Sequence, residues 1–379
     1  MKILVRAPNW IGDQLMAYPF FYFLRKRYPR AQITVACVPW VADLQFRHLI
    51  DAVVVVQPPA AHQRSLWARL QLLEAAAREV RKQGPWDLGI TLPNSFGSAW
   101  YLWRAGCAQR VGYSAEARRW FLTDARPWAN ASGLHRSQAY LNLAFSGQAH
   151  ASKDSGLDGA PSVDSFWTVP AENDLDPPVR GEVDVFPARE AWPMAKTLEP
   201  PSDPYWILAP GSMADSRRWG EEQFAELAGK IARETALSGM IVGGPKEAPI
   251  AERLKQDRSL RLKDWTAQGP VPDLWRLFRD ARFVVSNDSG LAHLSALMGT
   301  PTFLPWGAGE PRRTRPRGPG AVQIEVNAVA CWPCEKNHCA QVGSDFLACL
   351  RGISPQQVWA QIQQGVLRQE RKWGADVSN

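Results

Sequence analysis

The chain has 379 residues, 45% of them hydrophobic, and a formal net charge of +7, which leaves room for two domains with real cores. It holds no run of 18 apolar residues, and its opening MKILVRAP has neither the apolar stretch nor the small-residue cleavage site of a signal peptide, so a cytoplasmic protein without a membrane span is expected. Six cysteines in a chain this long do not suggest a secreted disulfide framework.

Residues 2–6 (KILVR) read as a short buried strand, followed by Ala7-Pro8-Asn9-Trp10-Ile11-Gly12-Asp13. A helix comes next, with Leu15, Met16, Phe20, Phe21, Phe23 and Leu24 giving it a broad apolar face. Asp13 is thereby placed at a strand-to-helix turn on the carboxyl edge of a sheet, where ligands of open α/β sheets bind. A plain helix cap is the competing reading. Further strands are expected at 32–38, 52–56 and 87–92, with helical stretches at 65–82 and around 138–143. That alternation argues a parallel sheet covered on both faces.

The charge is unevenly placed. Residues 1–150 hold 18 Lys+Arg and 8 Asp+Glu, a net of +10, whereas 151–379 hold 26 and 29, a net of −3. Solvated helix faces explain any single run, such as Arg25-Lys26-Arg27, Arg78 with Arg81-Lys82, or Arg118-Arg119. The asymmetry of the whole half suits an anionic acceptor or an anionic leaflet. Nucleic acid is the other candidate polyanion, but no RRM, zinc-finger or helix-turn-helix signature supports it. Several of the 18 tryptophans, Trp100, Trp103 and Trp120 among them, lie in this half. Stacking on sugar rings or dipping into a leaflet competes there with ordinary core packing. Residues 148–204, rich in Pro, Gly, Ser and Asp, read as a linker region with a strand near 183–186.

The second half repeats the α/β pattern. Strands are expected at 206–209, 239–242, 282–285 and 302–304, and helices at 222–234, 248–255, 271–280 and 291–298. After the first of these strands, Pro210-Gly211-Ser212 forms a tight turn, and Arg217-Arg218 stand just before a helix. A Gly–Ser turn lets backbone N–H groups approach a diphosphate, and guanidinium forks bind its oxyanions; a solvated loop with two surface arginines is the plain alternative. The loop Gly243-Gly244-Pro245-Lys246-Glu247 also follows a strand. It suits an adenosine, although glycines there serve turns equally well, and Lys246 and Glu247 are left outside the expected site.

The most informative segment is VVSNDSGLAH, from Val284 to His293. A strand runs into the polar turn Asn287-Asp288-Ser289-Gly290, and a helix starts at Leu291 with His293 one turn in. A helix start offers unpaired N–H groups and the positive end of its dipole to phosphate. A carboxylate such as Asp288 repels phosphate but grips sugar hydroxyls, so the combination points to a sugar nucleotide. An ordinary N-cap competes for the aspartate and serine, and a structural role competes for His293. Cys331, Cys334, Cys339 and Cys349 follow as C-x2-C-x4-C-x9-C. Four such thiolates suit a tetrahedral structural zinc or iron site; free thiols or an adventitious disulfide are the alternatives. Cys37 and Cys107 look like lone core residues. Ser354-Pro355-Gln356-Gln357 is a strong helix start, for a closing helix over 356–369.

Taken together, the pieces KILVRAPNWIGD, APGSMADSRRWGEEQFAEL, SNDSGLAHLSALMGTPTFLPWG and CWPCEKNHC with CLRGISPQQVWAQI resemble glycosyltransferase family 9, the ADP-heptose:lipopolysaccharide heptosyltransferases. The resemblance covers nearly the whole chain and is weakest at 146–204. It implies the GT-B architecture: two facing Rossmann-like domains with an interdomain active-site cleft. On this reading residues 1–180 bind the acceptor, 181–354 bind the nucleotide sugar, and 355–379 form a C-terminal helix able to return to the first domain.

The resemblance also implies a reaction and roles. An acceptor hydroxyl attacks the anomeric carbon of ADP-heptose with inversion, and ADP leaves. Asp13 matches the family's catalytic base; Asp288 matches the residue at the donor sugar, and His293 one near the phosphates. Asp13 and Asp288 are then expected to converge on one glycosyl centre. Gly211, Ser212, Ser289, Gly290 and Leu291 would hold the diphosphate. Arg217 stands where family members usually carry lysine, a change that keeps the charge but alters donor geometry. No cofactor is required, since no D-x-D sits at a strand end to carry a divalent metal. The acceptor would be the anionic inner core of lipopolysaccharide, Kdo or a first heptose, with peripheral contact at the inner face of the inner membrane. A family 9 enzyme using another sugar nucleotide or acceptor, and a non-catalytic sugar-nucleotide binder, are the rival readings; a nicotinamide dehydrogenase lacks its G-x-G-x-x-G after the first strand.

Overall fold

The central strands are buried on both faces because β-branched and aliphatic residues run through them without strict alternation. In the computed structural model, which describes residues 1–57, 66–115, 117–145, 162, 166, 192, 198–320 and 322–367, β1 (Lys2–Arg6) shows this plainly: Ile3, Leu4 and Val5 are fully buried. The described residues fall into two units, one holding those up to Phe166 together with Trp192, the other those from residue 198 onward. The strand expected at 183–186, and most of the expected linker, lie outside the described residues.

The first unit carries β1, β2 (Gln32–Cys37), β3 (Ala52–Val55), β4 (Trp86–Thr91), β5 (Cys107–Tyr113) and β6 (Asp124–Arg126). All pair in parallel, in the order β3-β2-β1-β4-β5-β6. Its helices are α1 (Ile11–Met16), α2 (Tyr18–Arg27), α3 (Leu66–Arg81), α4 (Phe96–Arg104) and α5 (Arg136–Ala144). The single apolar helix expected after β1 is two helices that break at Ala17, with Pro19 in the first turn of α2, where its missing N–H costs nothing.

The second unit repeats the plan with β7 (Tyr205–Ala209), β8 (Ser238–Ile241), β9 (Leu262–Asp264), β10 (Val284–Ser286), β11 (Thr302–Trp306) and β12 (Val322–Val326). Their order, β12-β11-β10-β7-β8-β9, is the first sheet's order read from its other edge, again all parallel. Both sheets therefore have the Rossmann strand order. The helices are α6 (Glu221–Glu234), α7 (Ala248–Gln256), α8 (Trp275–Asp280), α9 (Gly290–Leu297), α10 (Pro311–Thr314), α11 (Ala348–Arg351) and α12 (Pro355–Ile362). In α6, Phe224, Leu227, Ala228 and Ile231 recur at helical spacing and are fully buried against Trp206, Leu208 and Ile241 of the sheet. The capping box at Ser354 and Gln357 forms as expected: the Ser354 N–H donates to Gln357 Oε1 at 2.8 Å, and the Gln357 N–H donates back to Ser354 Oγ at 3.3 Å. It starts α12, which sinks Val358, Trp359 and Ile362 into the same core and packs on α6, β11 and β12. Cys37 and Cys107 are buried, as core residues should be. No helix among the described residues is long and apolar enough to cross a membrane.

Candidate active site

In an open parallel sheet the crossovers reverse direction at one pair of neighbouring strands, and ligands bind in the crevice left at their carboxyl ends. In the second unit that pair is β7 and β10. The turn Pro210-Gly211-Ser212 leaves β7 and the turn Asn287-Asp288-Ser289 leaves β10, so topology alone places them side by side. Asn287, fully buried, ties them together: Nδ2 donates to the Pro210 carbonyl at 2.6 Å, and Oδ1 accepts from the Trp219 N–H at 2.9 Å. The Ser212 hydroxyl donates to the Asp288 carbonyl at 3.0 Å, and Arg218 Nε donates to the Ser212 carbonyl at 2.7 Å. The Ser212 hydroxyl and Arg218 thus brace the turn, whereas the sequence suggests both as groups aimed at an anion.

Arg217 behaves differently. Its Nη1 lies 3.3 Å from Asp288 Oδ2, and Asp288 is only 5% exposed. A close approach of backbone keeps this carboxylate in place: a Cβ at Gly309 would stand 2.9 Å from Asp288 Oδ2. At α9, Ser289 is the N-cap residue but makes no capping hydrogen bond. The Ser289 hydroxyl therefore does not serve as an ordinary cap for the first-turn N–H groups. Ser289, Gly290 and Leu291 are half-buried around that helix start. One contributor escapes the sequence reading: the Glu247 carboxylate accepts from the Gly244 N–H at 2.8 Å and stands where a Cβ on Gly211 would meet it at 2.8 Å. A carboxylate beside a phosphate-type turn is suited to a sugar diol. Its glycine-rich loop is the signal that could have found it.

His293 is buried, and desolvation, helped by Arg217, pushes its imidazole down to about 4. It therefore offers a neutral hydrogen-bonding ring at pH 7. The linkage has a definite sign. The unfolded chain takes the proton near 6.5 and the folded chain only near 4, so stability falls as pH drops through that window. His48, also lowered to about 4 by burial, adds to the slope. Thermal melts from pH 7 to 4.5 are expected to show a flatter decline for His293→Gln than for the parent; identical slopes would remove the histidine from this account.

The cysteine-rich segment lies against the same turn. Ser216 N–H donates to the Asn337 carbonyl at 3.3 Å, Glu335 N–H to Ala308 at 2.8 Å, and the Trp332 indole to Gly307 at 2.8 Å. Cys331, Cys334, Cys339 and Cys349 line one small cavity together with Ser216, Ala308 and Leu347. None is in a disulfide, and burial, then the neighbouring thiols, raise Cys349. Among the described residues no three His, Cys, Asp or Glu side chains form a ready metal-holding group.

In the first unit the corresponding strand pair is β1 and β4. Helix α1 begins at Ile11 with Trp10 as N-cap, so Asp13 lies inside the first helical turn, past the loop where the sequence suggests it and past the cap position. Its side chain is half-buried and near enough to Tyr140 of α5 to help burial raise that phenol. The preceding loop is held by Arg6 Nη2 on Asn9 Oδ1 at 2.7 Å and by the Trp40 indole on the Asn9 carbonyl at 2.6 Å.

The chain matches known proteins. The profile of Glycosyltransferase family 9 (heptosyltransferase) covers residues 74–343. Lipooligosaccharide heptosyltransferase 2 of Haemophilus ducreyi is 29% identical over 339 residues, spanning 86% of this chain and 89% of that one. Among solved structures, E. coli ADP-heptose lps heptosyltransferase II superposes with a TM-score of 0.69 at 20% identity, covering 98% of this chain and all of the other. E. coli heptosyltransferase WaaC with ADP gives 0.66 at 18% identity, with 96% and 99% covered. The last two likenesses establish the shared fold, the paired Rossmann-like sheets of the GT-B class.

Proposed function

The chain belongs to glycosyltransferase family 9, and from that premise we propose that it moves a heptose from ADP-heptose to the anionic inner core of lipopolysaccharide, on Kdo or a first heptose, with inversion. The observation that carries the reading is the second unit's switch point. There an uncapped helix start at Gly290, the cation Arg217 and the buried carboxylate Asp288 meet. The first two answer a diphosphate, and the third answers sugar hydroxyls.

The chemistry divides between the units. Asp13 takes the proton of the acceptor hydroxyl as the C–O bond forms at the anomeric carbon. The electron pair of the breaking bond leaves on the β-phosphate of ADP, where Arg217 and the α9 N–H groups accept the charge. His293, held neutral, hydrogen-bonds without adding charge. No divalent ion enters this scheme. The acceptor is a membrane lipid, which sets the reaction at the inner face of the inner membrane.

Thermal shift distinguishes this donor from others: ADP and ADP-heptose are expected to raise Tm, and UDP or GDP are not. Equal shifts with all three would favour a relative using another sugar nucleotide. We also propose that the four cysteines hold a structural zinc or iron, which would brace the turn of Arg217 through Ser216. In the structure the thiols ring a cavity without closing a coordination sphere, so the ion would draw them inward. Elemental analysis of untagged protein is expected to give about one equivalent of metal; under roughly a tenth of an equivalent rejects it.

A further inference from the structure

Exposed tryptophan is costly unless something covers it, and the first unit displays a concentration of it. Helix α4 starts at the carboxyl end of β4, the sheet edge where Asp13 follows β1, and runs back along the sheet to the start of β5. Its Phe96 and Trp103 are exposed. Beyond β5, the turn Arg118–Phe121 lays Phe121 among them, with ring centroids 5.1 Å from Phe96, 5.4 Å from Trp100 and 5.4 Å from Trp103. Trp120, next in line, is 87% exposed.

The display is rigid. Arg118, fully buried, donates to the Pro93 and Ser95 carbonyls and to Ser98 Oγ, nailing the turn to the start of α4. Cations rim the patch. Arg119 is exposed beside Trp120 and Arg81 lies against Gly106 just past the helix, while Arg104, over the Trp100 and Trp103 rings at 5.9 and 5.3 Å, is already paired with Glu74. These sit within the half of the chain whose net charge is +10.

We propose that this aromatic platform docks on an anionic lipid bilayer, with the indoles at headgroup depth and the arginines on lipid phosphates. The inference rests on the reading that the acceptor is lipid-anchored, because docking by this edge brings such an acceptor to the unit that carries Asp13. A second copy of the chain would meet its own cations here, which disfavours self-association as the cover.

The test uses the full chain and vesicles of phosphatidylglycerol with phosphatidylethanolamine, against vesicles of phosphatidylcholine alone. Co-sedimentation with the anionic vesicles is expected, accompanied by a blue shift of tryptophan emission. Trp120→Ser, which removes no core contact, and Trp103→Ser with Trp120→Ser should each lower the bound fraction, the double change by roughly tenfold or more. Transfer to a deacylated, water-soluble acceptor should be unchanged in these variants, while transfer to the same acceptor embedded in vesicles falls. Equal binding to both vesicle types, or undiminished binding by the double variant, overturns the proposal. So does a monomer–dimer equilibrium in sedimentation velocity that depends on Trp120. Vesicle binding needs neither donor nor acceptor, so its failure is separable from failure of the transferase reading.

Discussion

Asp13→Asn is expected to lower turnover by roughly 10²- to 10⁴-fold, the usual range for loss of a general base, while leaving ADP-heptose affinity within a few-fold. The substitution keeps shape and hydrogen-bonding capacity but removes basicity. The change should be confined to kcat, because the groups read as holding the donor belong to the other unit. Asp13 is half-buried in the first turn of α1 beside Tyr140, and an amide fits that space without new volume. Circular dichroism and Tm should therefore match the parent. The measurement is initial rate at saturating donor, with nucleotide binding followed separately by thermal shift. Near-parental kcat in a protein that still binds ADP would end the assignment of Asp13 as the base.

The second large effect is expected at Arg217. Charge-assisted hydrogen bonds contribute about 1.5–3 kcal/mol, so Arg217→Ala should lose roughly 10- to 150-fold in kcat/KM for the donor. Arg218→Ala should lose much less, since its guanidinium is committed to the Ser212 carbonyl and only steadies the turn. The alanine change also strips a cation from beside the buried Asp288, which would itself perturb the pocket. Arg217→Lys is the control: it keeps the charge, removes the fork, and should recover part of the loss. Equal defects for Arg217→Ala and Arg218→Ala would make the whole turn a structural brace with no privileged cation.

How much of this could be read from the sequence depended on where polar residues sit. Central strands such as Lys2–Arg6 and Tyr205–Ala209 carry short unbroken apolar runs, which mark a strand buried on both faces without any alternation. Outer strands were missed for the opposite reason. Leu262–Asp264, at one sheet edge, is three residues long, and Cys107–Tyr113, one strand in from the edge, places Ala, Gln and Arg at exposed or half-buried positions. The two turns of the candidate site were legible because a Gly–Ser turn and an N-D-S-G turn each follow a strand. What those residues do was less so. Asn287 joins two loops 77 and 68 positions away, a partnership no local pattern encodes. The Ser212 hydroxyl and the Arg218 guanidinium are engaged with the Asp288 and Ser212 carbonyls, which the sequence does not reveal. Glu247 reaches the site only because β8 lies beside β7.

The pairing of Arg217 with Asp288 has a consequence for how a catalytic cycle would close. An enzyme that strips a diphosphate from its substrate must afterwards let that anion go, and a bare guanidinium resists the departure. Here the positive group has a resting place 3.3 Å away. As ADP withdraws, the carboxylate would take over as counter-ion, so neither member faces an unpaired state. If Asp288 meets the donor sugar as proposed, it would thus also ease the exit of the spent nucleotide, and trimming it should show as slowed product release even where chemistry survives.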